Sequence, residues 1–358
     1  MKILIKEKDK KHWTEVESAL YNAEADLQNL IADSPSIIPV KEIMDDPNPY
    51  VFSVKEYGLP GSGNTDVLLF NPNGNIGIIE CKLASNSEIK RKVIGQILEY
   101  AAFLWNVSYE DLDEKVSQIT GKNLVEGVST KTDQEEWDEE SFRTNIEETL
   151  SIGTFNLIIA VDHINEELRR TIDYLNECGN TAFSFHALEL HKYKSDNTQM
   201  LVPRMYGKVP QSKRVGSLQR KLWTDEGFFN HAQTQNSEKI LDMMHHILEW
   251  AKANADRVFW GKGRESGSFT FHYRRDGKTI SVFTITSQGK LVLNYGYLSE
   301  RITGIQLETF HNNLVEVQPF KGIELNPKAF PSINLKEIYD AGDDSIETLK
   351  KAVLELLN

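Results

Sequence analysis

Two short β-type runs, residues 67–70 and 76–79, flank Asn71-Pro72-Asn73-Gly74-Asn75, a strong turn signal. A hairpin centred on Asn73 sets position 66 opposite position 80, and these positions hold Asp66 and Glu80. Glu80 and Lys82 are two apart, so they share one face of the strand while Cys81 points to the other. Directly opposed residues have Cβ atoms about 5 Å apart. Two carboxylates and an ammonium therefore converge on one spot. Like charges opposed on a sheet are destabilising unless something neutralises them. A divalent cation would do so, and the hairpin therefore predicts a metal-dependent active site.

The chain has 358 residues, which favours two domains over one. No run approaches the roughly 18 apolar residues that would span a bilayer, so no membrane partner is expected. The first residues, MKILIKEKDKKHW, carry charges where a signal peptide needs an apolar core. Cys81 and Cys178 are in no CxxC pair and give neither a disulfide framework nor a zinc signature. Together these features favour the cytoplasm.

A net charge of −13 argues at first against a nucleic-acid partner. Its distribution weakens the objection. Residues 108–150 hold 13 acidic and 4 basic side chains, whereas 201–221 hold Arg204, Lys208, Lys213, Arg214, Arg220 and Lys221 with no acid among them. Lys90, Arg91 and Lys92 form a second basic cluster just after the hairpin. These clusters, with Lys213 and Arg214, are the candidate phosphate contacts. Each run taken alone reads equally as a solvated face or a linker.

Apolar spacing predicts a helix over 13–32 (stripe Val16, Leu20, Ala23, Leu27, Ile31), then a loop with Gly58-Leu59-Pro60-Gly61, the hairpin, and a helix over 87–105. The acidic stretch 108–150 reads as an insertion or mobile excursion with short helices. A buried-type strand over 155–161, a helix over 165–176, and a long strand over 181–193 paired with 200–205 complete an α/β domain, 1–208. Residues 209–222 read as a basic linker. An α+β accessory domain over 223–358 would contact substrate, a partner or a second copy. In it we expect a helix over 237–251, an antiparallel meander (268–273, 279–286 and 290–297), and a last helix over 345–357. Asp344 and Glu347 resemble a capping box for that last helix.

Two more polar residues join the hairpin by an argument from cost. Glu24 lies on the apolar stripe of the first helix, and Gln96 interrupts the apolar face of the helix after the hairpin. A carboxylate facing a core is costly unless paired or metal-bound, and buried amides need partners. Glu24 snorkelling from the edge of its stripe and Gln96 capping a sheet edge are the plain alternatives.

At this point the chain resembles the PD-(D/E)xK nuclease superfamily. The matching residues are Gly63 and Asp66 of a GxxD variant, Glu80-Cys81-Lys82 as Glu-x-Lys, and Gln96 with Tyr100 as the QxxxY helix of the RecB-like branch. Glu24-Ala25-Asp26-Leu27, followed by Ser34-Pro35-Ser36-Ile37-Ile38, is similar to the opening helix of NucS-type mismatch endonucleases. The match covers roughly residues 15–205. It departs in the acidic segment and in Thr65, which stands where the superfamily's proline would precede Asp66.

The resemblance implies a restriction-endonuclease-like mixed sheet flanked by helices and Mg²⁺- or Mn²⁺-dependent hydrolysis of DNA. Asp66, Glu80, Glu24 and the Cys81 carbonyl would hold the ion, with Lys82, Gln96 and Tyr100 completing the catalytic set. Cutting both strands would imply a homodimer. An RNA nuclease shares every one of these residues. A catalytically inactive module of the same fold, binding nucleic acid or a protein, is the competing reading. The remaining candidates are weaker. The stretch 261–268 lacks the order of a phosphate-binding loop, Trp260 reads as a core anchor, and His163, His186, His191, His245 and His246 show no metal-ligand spacing.

Overall fold

The computed structural model describes residues 3–6, 11–44, 48–84, 92–132, 137, 139–178, 183–195, 198–207, 223–261, 263, 266–275 and 278–357. It is a mixed α/β structure of two compact units, Met1–Gln219 and Arg220–Asn358. The expected basic linker, 209–222, lies outside the described residues.

The first unit contains strands β1 (Leu4–Ile5), β2 (Thr14–Glu15) and β3 (Glu17–Ala19), helix α1 (Glu24–Asp33), and strands β4 (Phe52–Leu59), β5 (Gly63–Phe70) and β6 (Ile76–Lys82). Helices α2 (Lys92–Leu104), α3 (Tyr109–Thr120), α4 (Leu124–Ser129) and α5 (Glu139–Ile152) follow. Strand β7 (Asn156–Val161), helix α6 (Glu166–Cys178), and strands β8 (Ser184–Ser195) and β9 (Thr198–Tyr206) complete the unit. Seven of these strands form one mixed sheet in the order β3-β8-β7-β6-β5-β4, with β9 also paired to β8. Strands β6, β7 and β8 run parallel, and the β4-β5-β6 and β8-β9 pairs are antiparallel. Alternation along the strands gives the sheet two apolar faces. One carries Leu68, Phe70, Ile76, Ile78, Ile159 and Ala187, and the other Val67, Leu69, Ile79, Cys81, Ile158 and Leu188. Burial on both faces accounts for the near-continuous apolar runs of β6 and β7.

The first helix is shorter than its stripe predicts. Residues 14–15 and 17–19 are strand, and α1 begins only at Glu24. Two local effects set that start. Glu17–Ala19 pairs with Lys192–Lys194 of β8, and the Asp26 carboxylate accepts the Asn22 and Ala23 amides at 2.8 and 3.2 Å. Leu27 and Ile31 are buried as the stripe requires, while Leu20 is 82 % exposed. Strand β4 takes the place of the expected loop.

The acidic segment is not an excursion. Tyr109, Leu112, Val116, Leu124, Val128, Phe142, Ile146 and Leu150 from its helices are all buried in the same core as α2. Its acids serve the helices: Glu110, Asp111, Glu126, Glu139 and Glu140 stand in first turns, where the helix dipole favours negative charge. Ser108 and Asn123 cap two of those ends by accepting the Asp111 and Glu126 amides.

The second unit holds helices α7 (Asp225–Gln235) and α8 (Glu238–Asn254), then strands β10 (Arg257–Trp260), β11 (Ser268–Arg275), β12 (Lys278–Thr286) and β13 (Lys290–Leu293). Helices α9 (Tyr295–Arg301) and α10 (Gly304–Val315), strand β14 (Ser332–Asn334), and helices α11 (Leu335–Ala341) and α12 (Asp343–Leu357) end the chain. The meander is part of a five-stranded antiparallel sheet, β10 to β14 in sequence order. Its third strand stops at Leu293, because Asn294 turns the chain by donating its amide to the Val282 carbonyl, and Tyr295 begins α9. Asp344 lies inside α12, and Glu347 pairs with Lys350, so the expected capping box does not form. Trp260 packs against Phe228 and Phe269.

Candidate active site

The site forms where the sheet opens around Asp66. The β5-β6 ladder has the register of a hairpin centred on Asn73, from Phe70↔Ile76 to Val67↔Ile79. Within the turn, the Asn71 side chain accepts the Asn73 and Asn75 amides, and Gly74 adopts φ +73°. A Cβ at Gly74 would stand 2.8 Å from the Asn145 Cβ, so glycine is needed for space as well as conformation. The next pair, Asp66 and Glu80, is not laddered. Instead Asp66 Oδ2 accepts the Cys81 amide at 2.6 Å, while β6 continues beside β7 through Glu80↔Ile159 and Lys82↔Val161.

The ladder opens on the other side of Asp66 too. Lys55↔Val67 and Tyr57↔Thr65 pair, but between them Glu56 takes the left-handed φ +52°. That turn leaves Val54 and Tyr57, three apart, facing the same core. Gln28 of α1 fills the gap, donating to the Asp66 carbonyl at 3.0 Å and to Glu56 Oε1.

Glu24, Glu80 and Lys82 meet at the C-terminal end of β6. Lys82 Nζ lies 3.0 Å from Glu80 Oε1 and 3.1 Å from Glu24 Oε2, and the second Glu24 oxygen accepts the Leu83 amide at 3.4 Å. Glu80 is 2 % exposed, and its Oε2 is buried with no hydrogen-bond partner. Burial and the neighbouring Asp66 charge push the Glu80 carboxyl up to about 7, against the pull of Lys82. Burial also raises Asp66, with Glu56 and Glu24 adding to the rise and the Cys81 amide and Lys82 opposing it. Burial disfavours the Lys82 ammonium, but Glu80 and Glu24 outweigh it, so its pKa is raised. The Cys81 thiol faces the opposite core, where burial raises it well above its ordinary value.

Helix α2 packs on β6 and β7 and brings Gln96 and Tyr100 to this wall. Burial, then Glu80 and Asp66, push the Tyr100 hydroxyl up to about 12, while a hydrogen bond with Gln96 opposes the rise. Gln96 Oε1 is buried without a partner. All six expected site side chains thus lie at this opening. Of the expected phosphate contacts, Lys92 is exposed in the first turn of α2. Lys90, Arg91, Lys213 and Arg214 lie outside the described residues.

Gln28, Glu56, Asp162 and Glu189 are absent from the sequence-based set. Asp162, just past β7, accepts the Ala84 amide at 2.6 Å. Glu189 is 3 % exposed in β8, and its carboxylate holds His163, His191 and the Ile164 amide. The signal for Glu189 was present: a carboxylate within the apolar run Phe185–Leu190 carries the same cost that singled out Glu24. Nothing local marks Gln28 or Glu56, whose roles depend on the opened ladder. His186 is a structural residue, bonded to the Gly207 carbonyl and Ser184.

No protein-family model, no curated protein and no solved structure matches the chain. Among the described residues no three His, Cys, Asp or Glu side chains are disposed to hold a metal ion. The Lys82 ammonium bridges two of the carboxylates, and Asp66 is turned to the Cys81 amide. The donors themselves nonetheless suit a hard divalent cation, being oxygens, one of them buried and unpartnered.

Proposed function

We propose that the N-terminal unit is a divalent-metal-dependent nuclease of the PD-(D/E)xK type, hydrolysing phosphodiester bonds of DNA. Glu80 carries this reading. A buried carboxylate oxygen without a partner, beside a second carboxylate and titrating near neutrality, calls for a proton or a cation. Asp66 and Glu80, with the Cys81 carbonyl and Glu24, would hold Mg²⁺ or Mn²⁺. Bound there, the ion would acidify a water and offset charge on the scissile phosphate.

The chain's own groups do the positioning. Lys82 stays charged at neutral pH, so it binds a phosphate oxygen and orients water rather than accepting a proton. Glu24 fixes the Lys82 ammonium, and Asp66 is fixed in turn by the Cys81 amide. The Gln96–Tyr100 pair lines the α2 wall and presents donors to the strand. One such site cuts one strand, so double-strand cutting requires two copies. The C-terminal unit would then contact substrate, a partner or the second copy.

The ion pairs favour a second reading. Lys82 already neutralises Glu24 and Glu80, as it would in an inactive module that binds nucleic acid or a protein without cutting. The deciding experiment is a cleavage panel with Mg²⁺ and Mn²⁺ across duplex, mismatched, branched and single-stranded DNA and RNA, with Lys82→Ala and Asp66→Ala beside the wild type. Cleavage lost in both variants supports the nuclease, and cleavage surviving both overturns it. Calorimetric titration with Mn²⁺ tests the module, which should show no binding that depends on Asp66.

A further inference from the structure

Two strands along from Lys82, on the same sheet face, stands a different cluster. Lys82 pairs with Val161 and Val161 with Glu189, so Glu189 lies two strand spacings, about 10 Å, from Lys82. Glu189 Oε1 faces His163 Nδ1 at 3.1 Å and accepts the Ile164 amide at 3.0 Å. Its Oε2 faces His191 Nε2 at 3.0 Å and Arg204 Nη1 at 3.8 Å. One carboxylate thus organises three basic side chains and one amide, more than its own charge needs. The basic groups face out: the His163 and Arg204 side chains are 68 % and 60 % exposed. The nearby Asp162 carboxylate is turned to the Ala84 amide.

We propose that His163, His191 and Arg204, held by buried Glu189, form a subsite for a backbone phosphate of the same strand that enters the Lys82 site. Arg204 supplies the permanent charge, and the two carboxylate-held imidazoles, in their imidazolium form, supply directed donors from their second ring nitrogens. At about 3.4 Å of rise per nucleotide, the 10 Å separation corresponds to about three nucleotides. The subsite rests on the nuclease reading for its ligand.

The test is equilibrium binding of labelled DNA single strands in EDTA, as a function of salt, by wild type and by His163→Gln/Arg204→Gln. Both positions are exposed and leave His191 and the Ile164 amide on Glu189, and unfolding midpoints confirm that the variant is folded. The expected result is weaker binding and a salt slope smaller by about one. The difference should open only in strands of about three nucleotides or more. An unchanged slope while wild type cleaves overturns the subsite alone. A reduced slope with no wild-type cleavage under any metal supports the subsite and overturns the nuclease reading. A wild type that binds no strand overturns the subsite, and the cleavage panel decides the nuclease reading separately.

Discussion

Glu80 and Glu189 are buried glutamates on strands of one sheet, 2 % and 3 % exposed, and their neighbours drive them in opposite directions. Burial raises both. At Glu80 the next influence is the Asp66 carboxylate, and the carboxyl ends near 7. At Glu189 the Ile164 amide, His191 and His163 overcome burial and the carboxyl is lowered. Depth therefore does not decide which way a buried carboxylate shifts; its partners do. Glu189 is a satisfied anchor, whereas Glu80 keeps an oxygen with nothing to bond.

The largest expected effect separates the two pockets by activity. Lys82→Ala removes the cation facing Glu80 and should lower metal-dependent cleavage by about three orders of magnitude or more in single-turnover assays. Retention within tenfold would make the Glu80 pocket as structural as the Glu189 pocket. The next effect is on stability. Glu189→Ala leaves the buried Ile164 amide without its acceptor and frees two histidines that water can reach, and should cost about 2–3 kcal/mol at pH 7 in urea unfolding. A lowered carboxyl stabilises above its unfolded pKa near 4.5, so the cost should shrink as pH falls below that value.

Much of this contrast was legible in the sequence. Local signals carry the hairpin register as far as Val67 and Ile79, because the turn around Asn71–Asn75 leaves alternation only one way, while the expected Asp66–Glu80 pair leaves the ladder where Asp66 turns to the Cys81 amide. The stripe of α2 likewise placed Gln96 and Tyr100. The first helix failed where edge pairing of Glu17–Ala19 with β8 outcompeted a helical period. In the acidic segment the charge masks a helical period, Tyr109, Leu112 and Val116, whose one apolar face is enough to bury it in the core. The Glu56 and Gln28 contacts are set by tertiary structure: a left-handed residue breaks the ladder, and a helix amide fills the gap.

Glu80→Gln should act with the opposite sign to Glu189→Ala. A carboxyl raised from 4.5 to about 7 binds its proton more tightly in the folded state, so wild type loses stability as pH climbs between those values. The amide mimics the protonated form. The variant should match wild type below pH 4.5 and exceed it by about 3 kcal/mol at pH 8. Mn²⁺ should stabilise wild type at pH 8 and leave the variant unmoved. Equal unfolding midpoints at pH 8 would show that Glu80 is satisfied and remove the contrast.

Gln96→Leu gives the smallest and most specific comparison. Gln96 Oε1 is buried and unpartnered, so replacing it with an apolar group relieves a desolvated acceptor. The same change removes the amide that bonds the Tyr100 hydroxyl, a loss of about 1 kcal/mol. These effects oppose each other, and the net change in unfolding free energy should stay within about 1 kcal/mol. Under the proposed function the Gln96 amide contacts the substrate, so cleavage should fall more than stability does. A stability loss above about 2 kcal/mol would mean that Gln96 is fully bonded. The wall beside Glu80 would then have its polar groups committed to the fold, as the Glu189 carboxylate is.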